Sequence, residues 1–125
     1  MSKQMELKLP ESELEIMLIL WNHKEPVRTA QIMEEIPRDW SQSTVKALLT
    51  RLADKKMIEV TRQGRFTLYR ALVEEEAFRK KETQGLLRRY YKNSVKSMVA
   101  ALVNEVELSG SDLQELEEII KKAGR

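Results

Sequence analysis

Leu14, Met17, Leu18 and Trp21 stand at i, i+3, i+4 and i+7, the spacing of a helix with one buried face. Ser12-Glu13-Leu14-Glu15 fits a capping box ahead of them, with Ser12 as cap and Glu15 reaching back. A first helix is therefore predicted to about Asn22, broken by His23-Lys24-Glu25-Pro26. Val27-Arg28 reads as a short extended link. Thr29 is placed to cap a second helix from Ala30 to Ile36, with Ile32, Met33 and Ile36 inward and Pro37 ending it. Ser41 caps a third, from Gln42 to about Lys56, whose stripe Val45, Leu48, Leu49 and Leu52 falls within an arc of about 100°.

The period then changes. Met57–Thr61 and Phe66–Leu72 read as strands, with Ile58, Val60, Phe66 and Leu68 alternating against polar neighbours. Between them Arg62-Gln63-Gly64-Arg65 makes a tight turn in which Gly64 is free to take positive φ. Such a hairpin is marginal alone and must lean on the helices. From Val73 onward the pattern is helical again. Glu74 to about Tyr91 is heavily charged, with Phe78, Leu86, Leu87 and Tyr90 as its apolar points. Asn93 or Ser94 starts another helix, with Val95, Met98, Val99, Leu102, Val103 and Val106 in helical register. Ser109-Gly110-Ser111-Asp112 caps a last one, lined by Leu113, Leu116, Ile119 and Ile120.

The expected architecture is mainly α with a small β-hairpin. Residues 1–72 form a winged helix-turn-helix domain, and residues 73–125 a helical region. Met98–Val103 is apolar all round and must be covered on more than one side. About 50 residues cannot bury all this apolar surface alone, so a second copy of the chain is the simplest cover. Val95, Met98, Val99, Leu102, Val103, Val106, Leu113, Leu116 and Ile120 are the expected homodimer interface.

Charge changes the picture locally, not globally. The net charge of +2 names no partner. Residues 41–70, however, carry seven basic side chains (Lys46, Arg51, Lys55, Lys56, Arg62, Arg65, Arg70) against Asp54 and Glu59, the excess that phosphate binding needs. The outward face of the third helix is small and polar, with Ser43, Ala47 and Thr50 bracketed by Thr44, Lys46 and Arg51. Small hydroxyls edged by cations suit close approach to base edges and phosphates. Ser43, Thr44 and Ala47 are thus the candidate base contacts. Ser41, Lys46, Thr50, Arg51, Arg62 and Arg65 are the candidate backbone contacts.

Other chemistry has little behind it. With no cysteine there is no disulfide, thiolate metal site or thiol nucleophile, and His23 is the single histidine, read as an exposed residue at the end of the first helix. The paired carboxylates Glu34-Glu35, Glu74-Glu75-Glu76 and Glu117-Glu118 fall on solvated helix surfaces, and no Gly-rich phosphate loop is present. No cofactor and no enzymatic activity are expected. A protein-docking winged helix is the alternative reading, against which the polar centre of the third helix argues. The first fifteen residues lack the apolar stretch of a signal peptide. The apolar run Ile16–Trp21 falls far short of the ~20 residues needed to span a bilayer. No membrane insertion is expected, and the expected compartment is the cytoplasm.

The ordered set Glu13-Leu14-Glu15-Ile16-Met17 with Trp21, Trp40-Ser41-x-x-Thr44-Val45, Leu48-Leu49-Thr50-Arg51-Leu52, Gly64-Arg65-Phe66 with Tyr69, Tyr90-Tyr91, Ser97-Met98-Val99, and Leu108-Ser109 with Leu113-Gln114-Glu115-Leu116 covers the chain nearly end to end. It resembles the BlaI/MecI/CopY, or penicillinase-repressor, family of bacterial transcriptional repressors. The resemblance implies a homodimer on a pseudo-palindromic double-stranded DNA operator of the TACA…TGTA kind. Copper-responsive members carry a C-terminal cysteine cluster, which this chain, ending Lys121-Lys122-Ala123-Gly124-Arg125, lacks. The resemblance further implies release by a protease, in the β-lactam-responsive members a membrane sensor-protease cutting an Asn–Phe bond. The aligned pair here is Ala101-Leu102, so the implied cleavage site departs from that pattern.

Overall fold

The third helix shows most directly how the fold is anchored. In the computed structural model, which describes residues 9–124, α3 runs Gln42–Asp54 and buries Val45, Leu48, Leu49 and Leu52, while every other residue on it is exposed except the half-buried Ala53. That stripe packs against α1 (Glu11–Trp21), α2 (Thr29–Glu35) and strand β2 (Ile58–Gln63). Burial of each such side chain contributes roughly 1.5–3 kcal/mol. The helix ends in a Schellman motif. Met57 N donates to Leu52 O (2.9 Å) and Lys56 N to Ala53 O (3.0 Å), with Lys56 in the left-handed region at φ 64. Leu52 and Met57, the two ends of that motif, are both buried. The helix therefore stops two residues before the expected Lys56, and the chain turns at once into the hairpin.

The hairpin pairs β2 with β3 (Phe66–Ala71), Gln63 opposite Phe66 and Val60 opposite Tyr69. Gly64 sits in the two-residue turn at φ 65, the conformation that favours glycine. The extended link at Val27–Arg28 is a strand, β1, laid antiparallel on the far edge of β3 to give the order β1-β3-β2. Val27, Tyr69 and Val60 oppose one another across the sheet. Val27 and Tyr69 are buried, whereas Val60 on the edge strand β2 is 44% exposed. Phe66 does not join the inward set expected of it, being 49% exposed, and Leu68 is only half-buried. Tyr69 takes the central inward position instead, because Val27 supplies a third strand for it to pack beside.

Three local expectations are corrected. Pro10, not Ser12, is the N-cap of α1, and no side chain caps that end. Glu15 is drawn away from the helix start to the Arg38 guanidinium, and that hydrogen bond holds its carboxyl below the usual glutamate range. The inward face of α1 is Glu13, Ile16, Met17 and Leu20 with Ile19, and Leu18 is 44% exposed. Arg28, not Thr29, is the N-cap of α2, its backbone N–H donating to Gln31 Oε1 at 3.0 Å. The caps at Ser41, Ser94 and Ser109 form as expected, each Oγ accepting the backbone N–H three residues on.

The chain divides into two compact units, residues 9–81 and 82–124 among those described. The first takes in the opening turns of α4 (Glu75–Tyr91), beyond the expected boundary at 72. Trp21 Nε1 donates to Val73 O at 2.7 Å, and the Trp21 ring meets Phe78 at 5.5 Å, so these turns are fastened to α1. The second unit holds the rest of α4, α5 (Val95–Glu105) and α6 (Gly110–Ala123). Gly85 is the one buried residue described in it, and Val95, Leu102, Val103, Val106, Leu113, Ile119 and Ile120 are all at least 38% exposed.

Glu13 is the single buried charged residue described in the chain, and Lys55 Nζ reaches its Oε1 at 2.5 Å. This pair ties the start of α1 to the end of α3. Replacing Lys55 by Ala leaves a carboxylate buried without its donor. Lys55→Ala should cost about 1–3 kcal/mol in urea unfolding, the lower part of that range being expected because 27% of the Lys55 side chain meets solvent. A midpoint equal to that of the parent chain overturns the assignment of this pair as a fastening of α3.

Candidate nucleic-acid interface

Burial of the Val45–Leu52 stripe fixes what α3 can show to solvent. Ser41, Ser43, Thr44, Lys46, Ala47, Thr50 and Arg51 are all exposed. At the start of the helix three hydroxyls form one cluster. Ser41 Oγ accepts the Thr44 N–H at 3.1 Å, donates to Thr44 Oγ1 at 3.1 Å and lies 3.2 Å from Ser43 Oγ. Ser41 is thereby committed to capping, and it orients Thr44 from below. Thr50 Oγ1 donates to Lys46 O at 3.0 Å, so it offers acceptor lone pairs outward but no free proton.

The hairpin arginines diverge. Arg65, in the turn, lines an open concavity of about 400 Å³ together with Gln42, Lys46 and Thr50 of α3. Arg62 lies with Glu25, Pro26 and Leu68 around a separate concavity. The structure thus joins Lys46, Thr50 and Arg65 in one groove and sets Arg62 apart from it. Arg51 is exposed three turns into α3 and lines neither concavity.

Sequence reasoning missed Arg28. Its guanidinium lies 4.5 Å over the Phe66 ring, and both residues line the groove of Lys46 and Arg65. A basic residue between two breaks, just before a helix start, was the signal for it. It fell outside the basic segment 41–70, and its partner Phe66 sits in the hairpin. No carboxylate lines the groove.

The remaining chemistry is structural. His23 lies in the turn after α1 and donates from Nε2 to Glu35 Oε2 at 2.8 Å. Arg70 pairs with Glu59 across the hairpin at 2.7 Å. Among the described residues no group of three or more His, Asp or Glu side chains is placed to hold a metal ion, and no helix is long and apolar enough to cross a membrane.

The penicillinase repressor family model matches residues 9–122, nearly the whole chain. The chain belongs to the penicillinase repressor family. Its relatives include the methicillin resistance regulatory protein MecI of Mammaliicoccus sciuri, 32% identical over 92% of this chain and 94% of that protein. The penicillinase repressor of Bacillus licheniformis is 26% identical over 92% of this chain and 91% of its own length. Among solved structures, the DNA-binding domain of the repressor BlaI in solution superposes with a TM-score of 0.50 at 27% identity, covering 54% of this chain and 84% of that domain. The winged helix-turn-helix expected from the periodicities is the fold of this family member's first unit, with α2 and α3 as the helix-turn-helix and β2–β3 as the wing.

Capping and contact meet at Ser41. Ser41→Ala should lower stability by about 1 kcal/mol and free the Thr44 hydroxyl to rotate. Urea unfolding measures the first effect. A midpoint unchanged within error removes Ser41 from the cap.

Proposed function

We propose that this penicillinase repressor family member is a sequence-specific DNA-binding transcriptional repressor that acts as a homodimer on a pseudo-palindromic operator. The observation that carries the reading is the outward face of α3: small, polar and exposed at its start, with Lys46, Thr50 and Arg65 gathered in a groove free of carboxylates. A helix of this kind enters a major groove while the wing meets backbone. Ser43, Thr44 and Ala47 read base edges. Ser41, Lys46, Thr50, Arg51, Arg62 and Arg65 hold phosphates and position the helix, Ser41 through its cap. Repression follows by occlusion, since a dimer seated on a promoter excludes polymerase. The alternative of a protein-docking winged helix needs an apolar centre on α3, where Ser43, Ala47 and Thr50 stand instead.

Exposure in the second unit supports the dimer. Leu102, Val103 and Val106 of α5 and Leu113 and Ile120 of α6 are 38–58% exposed in the single chain, and Val95 is 62% exposed. Met98, Val99 and Leu116 are half-covered. So many exposed apolar side chains on two helices suit an interaction site, and a second copy covers them without a further partner. Joining two winged domains makes the second docking event intramolecular, which supplies the avidity for a two-fold operator. Release is then most economically achieved by destroying the dimer. The Ala101–Leu102 bond lies inside α5, so a protease, whether a membrane sensor-protease or another, must catch that helix locally open.

Two measurements test the reading. Sedimentation at micromolar concentration should give a dimer, and a monomer overturns the assembly. On DNA, Thr44→Ala should cost about 1–3 kcal/mol on the operator and little on random duplex. Arg51→Ala should instead weaken both and flatten the salt slope by roughly one phosphate per subunit. Equal losses on operator and random DNA for Thr44→Ala remove it from base reading.

A further inference from the structure

Arg28 is held at both ends of its backbone. On one side it belongs to β1, opposite Leu68 of β3. On the other it is the N-cap of α2, its N–H taken by Gln31 Oε1 at 3.0 Å. Its side chain leaves this fixed point toward the wing, and the guanidinium carbon comes to 4.5 Å from the centre of the Phe66 ring. A guanidinium over a ring meets it with its cationic centre and still carries five N–H donors. Arg28 lines the groove that also holds Lys46, Arg65, Gln42 and Thr50, where no carboxylate competes for its donors. Phe66 itself is 49% exposed and lines the same groove.

We propose that Arg28 is a further cationic contact to the phosphate backbone of double-stranded DNA, forming one clamp with Lys46 and Arg65, and that Phe66 is the positioning residue that aims it. The proposal rests on the DNA-binding reading above and adds to it a contact outside α3 and the hairpin. Lys46 comes from α3, Arg65 from the wing turn and Arg28 from the start of α2. Three separate elements therefore converge on one concavity of about 400 Å³. A bidentate arginine fixed by a ring gives a phosphate a defined seat, where a lone lysine offers only a point charge. Such a seat sets the register of α3 in the groove without reading sequence.

The test uses the full chain and a random-sequence DNA duplex of about 30 base pairs, titrated by fluorescence anisotropy between about 50 and 200 mM salt. Arg28→Ala should reduce the slope of log affinity against log salt by about 0.9 per subunit, with the thermal midpoint unchanged. Arg28→Lys should keep that slope, because the charge stays, while binding more weakly than the parent. Phe66→Leu should weaken binding about two- to five-fold, and Phe66→Tyr should restore it. In an Arg28→Ala background Phe66→Leu should have no further effect. An Arg28→Ala variant that binds with the parent's affinity and slope overturns the contact. A Phe66→Leu loss that persists in the Arg28→Ala background overturns the positioning role and makes Phe66 a contact in its own right. A parent chain that binds neither this duplex nor operator DNA overturns the DNA-binding reading itself, a result distinct from either.

Discussion

Everything the first unit presents to solvent depends on one constraint, the insertion of Val45, Leu48, Leu49 and Leu52 between α1, α2 and the hairpin. Four buried side chains on one arc leave α3 no freedom to roll about its axis. A rotation that exposed Leu48 would forfeit its transfer free energy and open a void beside Leu49. The outward residues are therefore outward by elimination. Their chemistry can vary without disturbing the core, and the core cannot vary without re-aiming them. The Schellman end at Lys56 and the Glu13–Lys55 pair fix the other end of the same helix, so its direction is set as well as its roll.

How much of this the sequence made legible follows from the range of each interaction. The stripe of α3, its Ser41 cap and the Gly64 turn were readable because each is decided within a few residues. The buried side of α1 was not, because Ile16–Trp21 is apolar without a break and satisfies any face a helix could present. The structure surrounds that segment with α2, α3 and β3, which is why more than one face is covered. A buried Glu13 could not be read from its neighbours either, since its partner lies 42 residues on. Glu15 was readable as a capping residue and is instead held by Arg38, a long-range ion pair overriding a local motif. Within the candidate site, the exposure of the α3 residues was legible and the place of Arg28 beside them was not. Its meaning comes from the Phe66 ring, which only the β1-β3 pairing brings near.

The second unit poses the opposite case. Its helices are well capped, at Ser94 and at the reciprocal Ser109–Asp112 box, so local signals specify them fully. Yet its apolar positions stay at the surface of the single chain. Local sequence builds the elements here, and burial has to come from outside the chain. The proposed dimer supplies it. Leu102 and Val103 then carry two duties, holding the helix in a packed state and denying a protease the extended conformation it needs.

That division bears on how a repressor of this construction can be switched. The proposed DNA-contacting residues of α3 are held in place by the packing of the opposite face of the helix. Altering them directly means deforming a close-packed core, which is bistable only where alternative packings exist. The second unit carries far less intrachain burial, so in the proposed dimer its stability comes mostly from the partner copy. In that assembly a perturbation there, by proteolysis or by a protein that competes for the same apolar face, acts on a weakly self-supported element and is transmitted to DNA through lost avidity alone. In the proposed repressor, sensing at the dimer and reading at α3 can then change independently, one through residues 95–120 and the other through residues 41–51.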